Sequence, residues 1–128
     1  MLHTYGSHFN YRERYPDSNS IFKPDNATDA DKNNRGELVN AYDNTIAFTD
    51  SLLDSVIRRI EREHCNAALV YTSDHGEDIF DDSRERFLHA SPTPTYYQVH
   101  VPFVIWTSDE YATCYPETVS QAFANRDK

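Results

Sequence analysis

The sequence is short of basic residues. Lys and Arg number 12 against 21 Asp and Glu, giving a formal charge of −9 and a pI near 4.9. With no basic stripe to offset that balance, a nucleic-acid partner is excluded. Long apolar runs are missing as well, and no stretch approaches the roughly 18 residues that a membrane helix needs. The opening Met1-Leu2-His3-Thr4 lacks the basic and apolar regions of a signal peptide. Only two cysteines occur, Cys65 and Cys114, too few to fix a redox compartment, and whether they pair stays open. There is no internal repeat and no low-complexity segment. What remains is 128 residues, the size of one ordinary domain.

The organising stretch is Ala67-Ala68-Leu69-Val70-Tyr71-Thr72-Ser73-Asp74-His75-Gly76-Glu77. A short β-prone run without helical periodicity ends abruptly in polar chemistry, as a buried strand of a parallel sheet does where its carboxyl end opens into a site. Ligands of open α/β sheets bind beyond those ends. Asp74 and His75 offer one hard oxygen and one imidazole nitrogen, a pair suited to zinc, with manganese second, at roughly 2.0–2.2 Å. Consecutive strand residues point to opposite faces, so both reach one metal only where the strand breaks, and Gly76 supplies the break. A strand ending in a plain polar turn fits the same spacing, and both readings stay open.

Elsewhere the chain divides into scaffold and loop. Leu2 to His8 reads as a strand end entering a Gly turn with almost nothing before it, whereas strands usually need about five residues. The chain is therefore expected to be a fragment of a longer protein. His3 and His8 flank that turn, and each by itself reads as a hydrogen-bonded loop residue. Residues 17–36 are loop. Asp29-x-Asp31-x-Asn33 imitates the start of a calcium loop, but Asn34 and Asn40 stand where Gly and Glu are required, so calcium is rejected. Glu37 to about His64 is a helix with an apolar stripe of Leu38, Tyr42, Ile46, Thr49, Leu53, Val56, Ile57 and Ile60. Asn34 and Glu37 suggest a capping box, and Asn66 a C-cap. Asp43 and Asp50 on that helix read as a solvated face. Residues 78–94 are irregular and contain His89. Val99 to Trp106 is a second strand, parallel to the first, which would put His100 at the end away from Asp74 and give it a structural role. Residues 108–115 form a turn, and Glu117 to Asn125 begin a helix.

These elements carry a resemblance. Leu2-His3-Thr4-Tyr5-Gly6-Ser7-His8, Tyr42-Asp43-Asn44-Thr45, Tyr71 to Glu77, Leu88-His89 and His100 to Trp106 occur in an order and at spacings that resemble the carboxyl-terminal half of the periplasmic domain of phosphoethanolamine transferases. Those are sulfatase-like members of the alkaline phosphatase superfamily that modify lipid A or core lipopolysaccharide. The fold implied for residues 1–128 is α/β, part of an alkaline-phosphatase/sulfatase-like mixed, mostly parallel sheet flanked by helices.

The resemblance implies zinc on Asp74 and His75, with manganese the poorer substitute. It implies that His8 and His89 bind the phosphoryl substrate or a second zinc. The nucleophile, a threonine, and a further acidic ligand lie upstream of this sequence, so the chain alone is expected to be inactive. Phosphatidylethanolamine is the implied donor and lipopolysaccharide the acceptor, at the periplasmic face of the bacterial inner membrane. The chain itself is expected to be soluble and to need the remainder of its own catalytic domain. An exposed sheet edge would permit a homodimer. Two departures stand out: the loop before the long helix has no cysteines, and Asp78-Ile79-Phe80-Asp81-Asp82 follows Glu77 where many members carry glycine. The alternatives are a sulfatase of the same superfamily and a non-catalytic binding domain that keeps the fold.

Overall fold

One long helix, α1 (Arg35–Arg62), runs through both of the units into which the chain divides. The computed structural model describes residues 1–127. The first unit comprises Met1–Leu53 and Asp74–Val101, and the second comprises residues 54–73 and 102–127.

In the first unit α1 begins two residues earlier than its periodicity suggests. A 3-10 turn, Lys32–Asn34, leads into it, and Asp31 caps that turn by accepting the Asn33 N–H at 2.9 Å. The capping side chain is thus Asp31 rather than Asn34. The face that α1 buries carries Leu38, Ala41, Asn44 and Thr45, while Ile46 is 49% exposed. The apolar stripe therefore turns away from position 46. Leu38 and Ala41 join Tyr11, Ala27 and Ile79 in the core, flanked by Phe9, Val39, Tyr42, Phe80, Phe87 and Leu88. Burying Leu38 alone contributes about 1.5–3 kcal/mol. Phe9 and Tyr42 meet Tyr11 edge-on at 5.4 and 5.2 Å, and Phe80 stacks on Phe87 at 5.1 Å.

Asn44 is the polar centre of this unit. Its carbonyl oxygen accepts the N–H groups of Ile21 and Phe22 at 2.8 and 2.9 Å, and its amide donates to the Phe22 carbonyl and Asp25. Asp25, itself buried, also accepts from Tyr15 at 2.8 Å and from Ser20. That network pins the 16–25 loop to the helix. Residues 1–5 form no strand, so the strand end expected at Leu2 is absent. In the segment after Glu77, β2 (Asp78–Ile79) pairs antiparallel with β3 (Phe87–Leu88), and one turn of helix, α2 (Tyr96–Val99), follows.

The second unit is a two-stranded ladder with helices. Strands β1 (Ala68–Thr72) and β4 (Phe103–Thr107) pair antiparallel, Ala68 opposite Thr107 and Thr72 opposite Phe103. The mixed helix-and-strand class holds, but both ladders among the described residues are antiparallel and not parallel. An apolar run encodes a strand and its burial, whereas direction depends on where the connecting chain returns. The amino end of β4 lies beside the carboxyl end of β1. The reason for setting His100 aside, a position at the far end of a parallel ladder, therefore fails. Ser108 closes the ladder through Ala67: its N–H donates to the Ala67 carbonyl at 2.9 Å, and its Oγ accepts the Ala67 N–H at 3.1 Å. The same Oγ caps α3 (Asp109–Cys114), so the turn expected over 108–115 is helical. A serine that ends a strand and opens a helix explains the change. The last helix, α4 (Pro116–Ala124), starts on a proline already set for helix. Val70, Phe103 and Ile105 are at least half exposed on the ladder. Cys65 and Cys114 are both unpaired and exposed.

Candidate metal centre

The site is built in the first unit, from residues 74–77 upward. Gly76 is required by close approach. A Cβ there would lie 2.1 Å from the Tyr97 carbonyl oxygen, and the Gly76 N–H already donates to the Gln98 carbonyl at 2.8 Å. Its need is space: among the glycines, Gly6, at φ +58°, is the one with a left-handed backbone. Pinned this way, Gly76 leaves His75 on one side and sends Glu77 inward, where it is buried.

The β2–β3 register brings the next histidine back. Asp78 pairs with Leu88, so the residues just outside the ladder, Glu77 and His89, come face to face. His89 Nδ1 lies 2.9 Å from Glu77 Oε1. Leu88 and Ala90, either side of His89, both hold positive φ, 66° and 75°. Non-glycine residues in that region cost on the order of 1–3 kcal/mol and tend to cluster at functional sites. Asp78 beneath is satisfied by Thr95 at 2.6 Å and by Gln98.

Three imidazoles gather here. The His75 and His89 rings lie 3.8 Å apart between centroids, and the His8 ring is 6.4 Å from His89. Each has its Nδ1 against an acceptor: the Phe9 carbonyl at 2.7 Å for His8, the Gly76 carbonyl at 2.9 Å for His75, and Glu77 for His89. Carbonyl and carboxylate oxygens only accept, so the hydrogen belongs on Nδ1 and the lone pair on Nε2. That tautomer is how metal-ligating histidines are usually prepared.

The carboxylates differ. Asp74 Oδ2 stands 4.0 Å from His75 Nε2, and its side chain is 85% exposed. Desolvation is the largest single influence on its pKa and acts to raise it. Its own and His75's backbone N–H groups, with His75 and His3 nearby, outweigh that and hold it below the ordinary range. Tetrahedral ligands at about 2.1 Å stand about 3.4 Å apart, so this pair needs only a small adjustment to share an ion. Glu77 belongs to the tight group His75, Glu77 and His89, whose donor atoms lie within 4.8 Å of one another. Both of its oxygens are engaged, however, Oε1 by His89 and Oε2 by the Tyr11 hydroxyl at 2.8 Å. Burial, then the charge of Glu77, pushes the Tyr11 phenol far above its usual range, so it stays a donor. The imidazole of His75 with the accessible Asp74 carboxylate 4.0 Å away is the mixed nitrogen and oxygen pair that zinc takes.

Of the residues singled out from sequence, His75, His89 and His8 are brought together, and Asp74 sits at the edge of the group. Glu77 and Tyr11 were passed over. Glu77 carried a signal, a charged residue next to a glycine at a strand end, but Tyr11 carried none, since its partner lies 66 positions away.

A family model described as Sulfatase matches residues 1–127. The chain belongs to the sulfatase family. Within sulfatase-family proteins it is 36% identical, over its whole length, to the Kdo(2)-lipid A phosphoethanolamine 7''-transferase of Escherichia coli K12, of which it covers 22%. The soluble domain of lipooligosaccharide phosphoethanolamine transferase A from Neisseria meningitidis superposes with a TM-score of 0.80 at 38% identity, covering 88% of this chain and 34% of that one. The C-terminal periplasmic domain of E. coli EptC, solved as a complex with Zn, gives a TM-score of 0.72 at 29% identity, covering 87% and 32%. The chain thus spans about a fifth of the length of the curated relatives it matches.

Proposed function

We propose that this chain is the carboxyl-terminal part of the catalytic domain of a zinc-dependent phosphoethanolamine transferase acting at the periplasmic face of the inner membrane. The observation that carries the reading is the trio of histidines, each with Nδ1 on an acceptor, in a sulfatase-family chain whose curated relatives are phosphoethanolamine transferases. No described helix is long and apolar enough to cross a membrane.

In this reading Asp74 and His75 hold the zinc, and His8 and His89 meet the phosphoryl group or a second ion. Bound zinc supplies Lewis-acid polarisation of phosphoryl oxygens. The chain's own part is positional. Gly76 fixes the approach of residues 75 and 77, and the β2–β3 register sets His89 against His75. His89 and His8 present Nε2 where phosphoryl oxygens would be oriented. Phosphatidylethanolamine is the proposed donor and lipid A or core lipopolysaccharide the acceptor. The nucleophilic threonine is expected upstream, along with the remainder of the domain.

The test uses the full-length protein, incubated with phosphatidylethanolamine and zinc and then peptide-mapped by mass spectrometry. A phosphoethanolamine adduct on one threonine supports the transferase. A formylglycine in place of a cysteine makes it a sulfatase and overturns the reading, and neither modification favours a non-catalytic binding domain.

A further inference from the structure

The three histidines are prepared by different means. His8 and His75 use backbone carbonyls at adjacent residues, Phe9 and Gly76, so local chain geometry suffices for them. His89 relies on a side chain, Glu77, whose other oxygen is held by Tyr11 from a separate part of the unit. Glu77 is 8% exposed and Tyr11 is fully buried among Phe9, Tyr42 and Phe87. A buried carboxylate tethered at both oxygens cannot swing without leaving one of them unsatisfied. It is therefore poorly placed to turn toward an ion and well placed to hold a ring.

We infer that Tyr11 and Glu77 are positioning residues that fix His89 in its Nδ1–H tautomer and aim its Nε2 into the site, with Glu77 serving as a hydrogen-bond partner and not as a metal ligand. The aim of Nε2 at a metal or phosphoryl group rests on the proposed function, whereas the tautomer does not. Outer partners of this kind typically change metal affinity by about 10–100-fold when removed. Tyr11→Phe is the informative variant because it keeps the aromatic packing and deletes only the hydroxyl.

The experiment compares the metal-free full-length protein with its Tyr11→Phe and Glu77→Gln variants, using long-range 15N–1H spectra of the imidazole rings, and then titrates each with zinc. The expected result is an Nδ1–H His89 in the parent chain and a mixed or Nε2–H ring in both variants, while His8 and His75 keep their tautomers. Zinc affinity should fall about tenfold in Tyr11→Phe. An Nε2–H His89 in the parent chain overturns the inference. So does a Tyr11→Phe chain that is folded, keeps the parent tautomer and binds zinc as the parent does. If the parent shows the expected tautomer and the variants lose it, but zinc does not bind, the positioning stands and the metal reading falls.

Discussion

Gly76→Ala tests the packing on which the site depends. The new Cβ would lie 2.1 Å from the Tyr97 carbonyl oxygen, with the Tyr97 carbonyl carbon at 3.2 Å and Gln98 Cα at 3.6 Å behind it. Both segments are backbone, so no flexible side chain can yield. Reaching an ordinary contact near 3.5 Å means opening the gap by about 1.4 Å. That displacement breaks the 2.8 Å bond from the Gly76 N–H to the Gln98 carbonyl. Backbone shifts from overpacking cost about 1–3 kcal/mol, and a lost hydrogen bond about 0.5–1.5 kcal/mol. A total near 3 kcal/mol is expected. Gly36→Ala is the matched control: it lies in the first turn of α1 with nothing within 4 Å of its Cβ, and should stabilise by about 0.4–1 kcal/mol. Urea unfolding of both variants decides the matter. A Gly76→Ala chain within about 0.5 kcal/mol of the parent would refute the close approach and the placement of His75 and Glu77 that follows from it.

Three further outcomes are expected. Asn44→Ala should cost at least about 3 kcal/mol, because four hydrogen bonds to loop 21–25 end at a fully buried side chain; faster amide exchange at Ile21 and Phe22 is the specific readout. Burial acts to raise the Asp25 carboxyl pKa, but hydrogen bonds from Ser20 and Tyr15 outweigh it and hold it low. The stability it contributes is therefore present above its unfolded pKa of about 3.9 and lost as pH falls through the lower folded value, so Asp25→Asn should flatten the stability–pH slope below about pH 4. Zinc at about 100 times its Kd should stabilise the chain by about 2.7 kcal/mol in thermal melts, reversibly with EDTA. Asp74→Ala should weaken that effect with only a small drop in the metal-free Tm, since the side chain is 85% exposed, and unchanged zinc binding would remove Asp74 from the ligand set.

The sequence by itself determined what depends on neighbours along the chain. The periodicity over residues 38–60 marks α1, and β-prone runs mark β1 and β4 to within a few residues. Residue chemistry nominates Asp74 and His75 at a strand end, and the family resemblance adds His8 and His89. Tertiary structure decided what depends on return paths. The connection between β1 and β4 brings the chain back to the end it left, so the ladder is antiparallel. A two-residue ladder, Asp78–Ile79 on Phe87–Leu88, carries His89 to Glu77, and it is too short to have a period. The need for glycine at position 76 arises from Tyr97, and the hold on Glu77 from Tyr11. Local propensity is a property of consecutive residues, whereas contacts across 21 or 66 positions exist only once the intervening chain has closed its loops and buried their ends.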